Sequence, residues 1–198
     1  MYREEPIEGF AFRLRAVQEA DAAFILELRT SERARFLHPV DPDLEAQRRW
    51  IRDQRARPGD YYFLIERRAD RRPEGTIGLC GITAGEAEWG RWILRPDSLA
   101  ALESVWMLCC WAFEALGLES LYSLTLVENR TVLSLHEALG FERVRLHRGR
   151  FHFSGVAHDA VEHRIWRARW ERDLEPRLRA HCLSIARRME AVCSDLIT

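Results

Sequence analysis

The chain has 198 residues, 47% of them hydrophobic, enough for the core of one domain with or without an appendage. Its 30 basic side chains, all arginine, balance 31 acidic ones, for a net charge of -1. That balance argues against binding nucleic acid through bulk positive charge, and the use of arginine alone points to no particular ligand.

The amino terminus, MYREEPIEGF, carries charge where a signal peptide needs an apolar core. Residues 10–17 (FAFRLRAV) alternate as a first strand, and Asp21 then caps a helix with Phe24, Ile25 and Leu28 facing inward. Pro39 and Pro42 punctuate the following loop. A second helix over 44–57, carrying Gln47, Trp50 and Ile51, stops at Pro58-Gly59. Three strands are predicted next, over 61–67, 76–83 and 86–94, joined by turn-rich connections that make an antiparallel meander. A long helix over 98–116 shows one apolar stripe through Leu99, Leu102, Trp106, Cys109, Phe113 and Leu116, and Gly117 ends it.

A strand over 121–127, a helix over 129–139 ending at Gly140, and two strands over 141–146 and 156–166 complete the predicted sheet. Beyond Trp170 one amphipathic helix carries Leu174, Leu178, Cys182, Ile185, Met189, Val192 and Leu196 on one face. That stripe reads equally as the seam of a homodimer or as packing on the parent domain. The division expected is a domain over 1–170 and a helical extension over 171–198, with a mixed α/β (α+β) sheet covered by helices. Five cysteines without a C-x-x-C pair read as free thiols in a reducing, cytoplasmic compartment. The longest apolar run, 105–113, is too short to span a membrane, so no membrane partner is expected.

Four segments in order, LEAQRRWI, AEWGRWILRP, WAFEALGLESLYSLTLVENRTVLSLHEALGF and HDAVEHRIWRARW, resemble the GNAT (Gcn5-related) N-acetyltransferases, in particular their ribosomal-protein and small-molecule branch. The resemblance covers about residues 12–170. It implies a mixed, mostly antiparallel sheet with a central splayed parallel pair, helices on both faces and, in this chain, an extra C-terminal helix. It also implies acetyl-CoA, or another acyl-CoA, as cosubstrate and a primary amine as acceptor. The near-neutral charge favours a small-molecule amine such as an amino sugar. The alternatives are a protein N-terminus as acceptor, or a non-catalytic protein of this fold that binds acyl-CoA or a partner.

On this resemblance the backbone of Trp92, Ile93 and Leu94 forms the ladder for the pantetheine arm. Asn129 matches a cofactor-contacting Asn and is also a natural helix N-cap. The family's glycine-rich phosphate loop is replaced by a glycine-free segment, in which Arg95, Ser98, Leu99, Ala100 and Ala101 are the expected phosphate contacts. Asp97 there reads as a helix cap. Glu88, read by simple alternation as sharing a face with Trp92, is the expected general base. His136 stands where the family commonly has a Tyr acid. Trp50, Tyr62 and Trp89 are expected to wall the acceptor pocket, and the histidines lack zinc-site spacing.

Overall fold

The computed structural model describes residues 5–153 and 155–195, with side chains up to residue 191. In chain order the elements are β1 (Ile7–Glu8), β2 (Phe12–Ala16), α1 (Ala22–Arg29), α2 (Leu44–Arg55), β3 (Tyr61–Arg67), β4 (Pro73–Thr83), β5 (Glu86–Leu94) and α3 (Ala101–Glu114). There follow β6 (Ser120–Leu126), α4 (Arg130–Leu139), β7 (Glu142–Phe153), β8 (Val156–Trp166), α5 (Arg167–Arg169) and, after one π-helical turn, α6 (Glu175–Asp195). The eight strands make one sheet in the order β1-β2-β3-β4-β5-β6-β8-β7, antiparallel except between β5 and β6.

Alternation along the strands builds two cores. Phe63 and Ile65 of β3 point with Phe12, Leu14, Ile77 and Leu79 toward α3 and α6. Their neighbours Tyr62 and Leu64 point the other way, onto Ile25 of α1 and Ile51 of α2. The start of the C-terminal helical segment joins the first core. Leu174, Leu178, Cys182 and Ala186 are buried there, and Trp106 of α3 donates to Glu175 at 3.1 Å. The described first half of the apolar stripe therefore packs within the chain; the side chains of Val192 and Leu196 lie outside the described residues.

Four local expectations change. Asp97 does not cap α3: following Pro96, it takes a left-handed φ of 61°. The helix starts three residues later than the apolar period suggests, with Ala100 at its cap position and no side-chain cap. Leu99 is consequently 55% exposed rather than part of the stripe. Asp21 sits at the cap position of α1 but turns back, accepting from the Gln18 amide and from Arg15 at 2.7 Å each. β7 runs to Phe153 because two register irregularities absorb its unpromising Arg- and Gly-bearing stretch and keep it paired with β8.

The central strand positions the site. β5 and β6 pair only at Glu86–Ser120, Ala87–Leu121 and Glu88–Tyr122, and then diverge. On its other edge, β5 matches Gly90 to Gly78 and Ile93 to Thr76, so β5 carries one more residue than β4. Arg91 takes up that bulge with a φ of 49°, a conformation that costs a side-chain-bearing residue about 1–2 kcal/mol. Offsetting contacts hold it there. Its guanidinium forms a two-pronged ion pair with Asp60 at 2.6 and 3.1 Å and lies 5.5 Å from the ring centroids of both Trp50 and Tyr62.

The bulge also reverses which residues face which way. Trp92 donates to Ser104 of α3 at 3.2 Å and lies 5.9 Å from the Trp89 ring, so these two share the α3 face. Glu88, adjacent to Trp89, is on the opposite face. The expectation that Glu88 and Trp92 share a face is thus wrong, since plain alternation does not count the inserted residue.

Candidate active site

Where β5 and β6 part, they leave a cleft of about 240 Å³. Glu88 and Trp89 line it from β5, Ser123 and Thr125 from β6, Asn129 and His136 from α4, and Phe151 and Phe153 from β7. A second cavity of about 440 Å³ lies toward α2 and includes Trp50 and Tyr62. Arg29, His38 and Arg91 line both, so the two spaces adjoin. Trp89 belongs only to the first cavity, and the three aromatic residues expected to wall the acceptor do not form one wall.

Glu88 sits at the fork itself, as the last residue of β5 paired to β6. Its carboxylate has no hydrogen-bond partner among the described residues. Burial raises its pKa above the ordinary carboxylate value, opposed by the charges of Arg150 and Arg91. A partly desolvated, uncommitted carboxylate at a cleft floor can accept a proton from a bound group.

His136 enters from the other face, 1% exposed, with Trp89, Phe141 and His163 ring centroids at 5.2–5.4 Å. Burial, with a smaller push from His163, lowers its pKa to about 3. At neutral pH it is an uncharged imidazole, able to donate one N–H hydrogen bond but holding no imidazolium proton. Both its ring nitrogens, the Trp89 Nε1 and the Ser123 Oγ are buried without a hydrogen-bond partner among the described residues, while the His163 Nε2 lies 3.8 Å from the Glu137 carboxylate. Buried polar atoms are normally hydrogen-bonded, so this group beside the cleft is chemically set for water or a ligand.

The expected cofactor contacts divide between backbone and side chain. Ile93 packs its side chain on Leu28 and Ala34, while Trp92 and Leu94 pack on the α3 side; of the three, only Trp92 lines the cleft. Past Glu88 that edge of β5 has no strand partner. Asn129 caps α4, its side chain accepting from the Val132 amide at 3.4 Å, and also lines the cleft. In the glycine-free loop, the Ser98 amide is held by the Arg95 carbonyl and the Ala100 amide by the Ser98 hydroxyl. The N–H groups of Ala101, Leu102 and Glu103, in the first turn of α3, have no partner among the described residues. These amides at a helix start suit phosphate oxygens. The Arg95 guanidinium lies 5.9 Å over the Phe24 ring of α1.

Residues 12–142 match the family model described as an acetyltransferase (GNAT) domain. The chain belongs to the GNAT acetyltransferase family. A Gcn5-related N-acetyltransferase from Brucella melitensis superposes with a TM-score of 0.80 at 18% identity, over 91% of this chain and 86% of that one. Apo FdhC, a nucleotide-linked sugar GNAT, gives 0.74 at 24% identity, over 89% and 98%. A spermidine N-acetyltransferase variant from Vibrio cholerae gives 0.71 at 19%, over 83% and 98%. A search of curated proteins returns no match. Among the described residues, no three His, Cys, Asp or Glu side chains are grouped to hold a metal ion, and no helix is long and apolar enough to cross a membrane.

Sequence reasoning missed Phe151, Phe153, Arg29 and His38 as cleft residues. The F-x-F spacing in RFHF was a strand signal for the first two. Arg29 ends a helix, where arginine is ordinary, and nothing local marks it as inward-facing.

Proposed function

We propose that this GNAT protein is an N-acetyltransferase that moves an acetyl group from acetyl-CoA to the primary amine of a small molecule. The observation that carries the reading is the fork at Glu88: paired strands below it, a cleft above it, and an unpartnered carboxylate between. The open β5 edge at Trp92, Ile93 and Leu94 suits the amide groups of a pantetheine arm, with Asn129 across the cleft. The free amides of Ala101, Leu102 and Glu103 suit a pyrophosphate, with Ser98, Leu99, Ala100 and Arg95 beside them. Bound there, acetyl-CoA supplies an activated thioester.

Glu88 then removes a proton from the acceptor ammonium, directly or through water, so that the nitrogen lone pair can attack. As the C–N bond forms and the C–S bond breaks, the second proton of the nitrogen passes to the sulfur, directly or through water, and neutral His136 donates a hydrogen bond toward that sulfur. Trp50 and Tyr62 bound the acceptor cavity on one side and Trp89 the cleft floor on the other. Four cysteines, Cys80, Cys109, Cys110 and Cys182, are free thiols, in keeping with a reducing, cytoplasmic setting.

Calorimetric titration with acetyl-CoA, followed by measurement of thiol release with a panel of amines, tests the reading. Saturable binding and amine-dependent thiol release are expected. No binding at millimolar acetyl-CoA would remove both the enzyme reading and acyl-CoA binding. Binding without release for any small amine, but with release for a peptide N-terminus, would move the acceptor to proteins.

A further inference from the structure

Arg29 is a cation of the cleft whose charge no carboxylate answers among the described residues. It is the last residue of α1 and lines both the cleft at Glu88 and the adjoining cavity. Its Nη2 donates to the His38 carbonyl at 2.5 Å, and its Nε is buried with no acceptor. No carboxylate among the described residues is within ion-pair distance of it. The neighbouring cation, Arg91, is already neutralised by Asp60. Glu88 and Asp41 also line these spaces, but neither pairs with Arg29. Burial lowers the Arg29 pKa, Tyr62 opposes it and the charge of Arg91 adds to it.

A guanidinium stays ionised in any protein environment, and on this half-buried one the enclosed Nε–H is left without an acceptor, which is costly. The costly arrangement is relieved when an oxyanion enters: the planar fork matches a carboxylate or phosphate with two parallel hydrogen bonds. A polyamine would instead bring cations against Arg29.

We propose that Arg29 recognises an anionic group on the acceptor, so that the amine acetylated here also carries a carboxylate or a phosphate. This rests on the acetyltransferase reading for its chemistry, but the binding of the anion can be measured without turnover.

The test uses the full chain and its Arg29→Gln variant. In the turnover arm, matched pairs are compared: β-alanine with its amide, and glucosamine 6-phosphate with glucosamine, with spermidine as the cationic control. The wild type should prefer an anionic member, and the pair that shows the preference separates carboxylate from phosphate. Arg29→Gln should raise the KM of that member about 10- to 100-fold more than that of its neutral counterpart, the range for losing a charged hydrogen bond. Equal use of neutral and anionic amines by the wild type, a preference for spermidine, or equal damage to both members of a pair overturns the proposal.

In the binding arm, inorganic phosphate and acetate are titrated into both proteins without acetyl-CoA. Weaker binding of either anion to Arg29→Gln supports the proposal even if no amine is acetylated. The difference between proteins is the signal, because the α3 amides can also take phosphate. Identical affinities for both anions overturn it. Should Arg29→Gln not fold, Arg29→Lys keeps the charge but loses the fork, and the same comparisons apply with about a 10-fold loss on the anionic member.

Discussion

His136 offers a measurement in which stability and chemistry separate. Its side chain is almost wholly enclosed, and its pKa falls from 6.5 to about 3 on folding. The unfolded chain therefore takes up a proton near pH 6.5 that the folded chain refuses until about pH 3. Stabilisation by the neutral ring is complete above 6.5 and is lost as pH falls through that window. Integrated from pH 7.5 down to pH 5, the loss owed to this one residue is about 2 kcal/mol, at about 1.4 kcal/mol per pH unit once the unfolded histidine is protonated. His136→Phe removes the titration and replaces two unpartnered nitrogens by carbon, which should be nearly neutral or mildly stabilising at pH 7.5. Urea unfolding of both proteins at pH 7.5 and pH 5 gives four free energies. Their double difference cancels the distant carboxylates, which are common to both proteins; His163 touches His136, so the comparison is repeated in a His163→Gln background to remove its titration. The wild type should lose about 2 kcal/mol more than the variant between the two pH values. Parallel losses would show that His136 is accessible to protons in the fold, and the argument from its burial would fail. The same variant should acetylate amines more slowly, with little change in the KM for acetyl-CoA, if the ring's N–H assists the departing thiolate.

Two further outcomes follow from the geometry. Glu88→Gln should lower kcat by about 100-fold or more while leaving acetyl-CoA binding intact, and should abolish the rise of rate with pH that a base with a raised pKa produces as it deprotonates; an unchanged kcat and pH profile would remove Glu88 as the base. Leu178→Ala, at a position with no exposed surface, should cost about 2–5 kcal/mol in urea unfolding without changing the mass measured by light scattering; dissociation of an oligomer by this substitution would instead make α6 a seam between copies.

The parts of the fold most legible in the sequence were those whose burial follows one period. β3 and β5 are found at their predicted limits because their apolar residues are bounded by turn residues at both ends. Gly140 ends α4 in the left-handed conformation that its position implied. The start of α3 was misread because Leu99 continues the helical period by coincidence, while the backbone turns at Asp97. The lining of the cleft was legible where a residue's place on an element decides it, as with Glu88 and Asn129. It was illegible where several elements converge. The seclusion of His136 depends on Trp89, Phe141 and His163 arriving from β5, the segment after α4 and β8. The isolation of Arg29 depends on which carboxylates other arginines already occupy, and no sequence period records that.

The single extra residue at Arg91 bears on how this protein can change over generations. Point substitutions elsewhere in β5 alter one side chain at a time. Deleting Arg91 would restore strict alternation and one-to-one pairing with β4, and the residues beyond it would keep the faces they now occupy. Ile93 would still pack on Leu28 and Ala34 and Leu94 on the α3 side, but Asp60 would lose its counter-ion. What holds the extra residue in the strand is therefore a buried charge rather than the packing of either core.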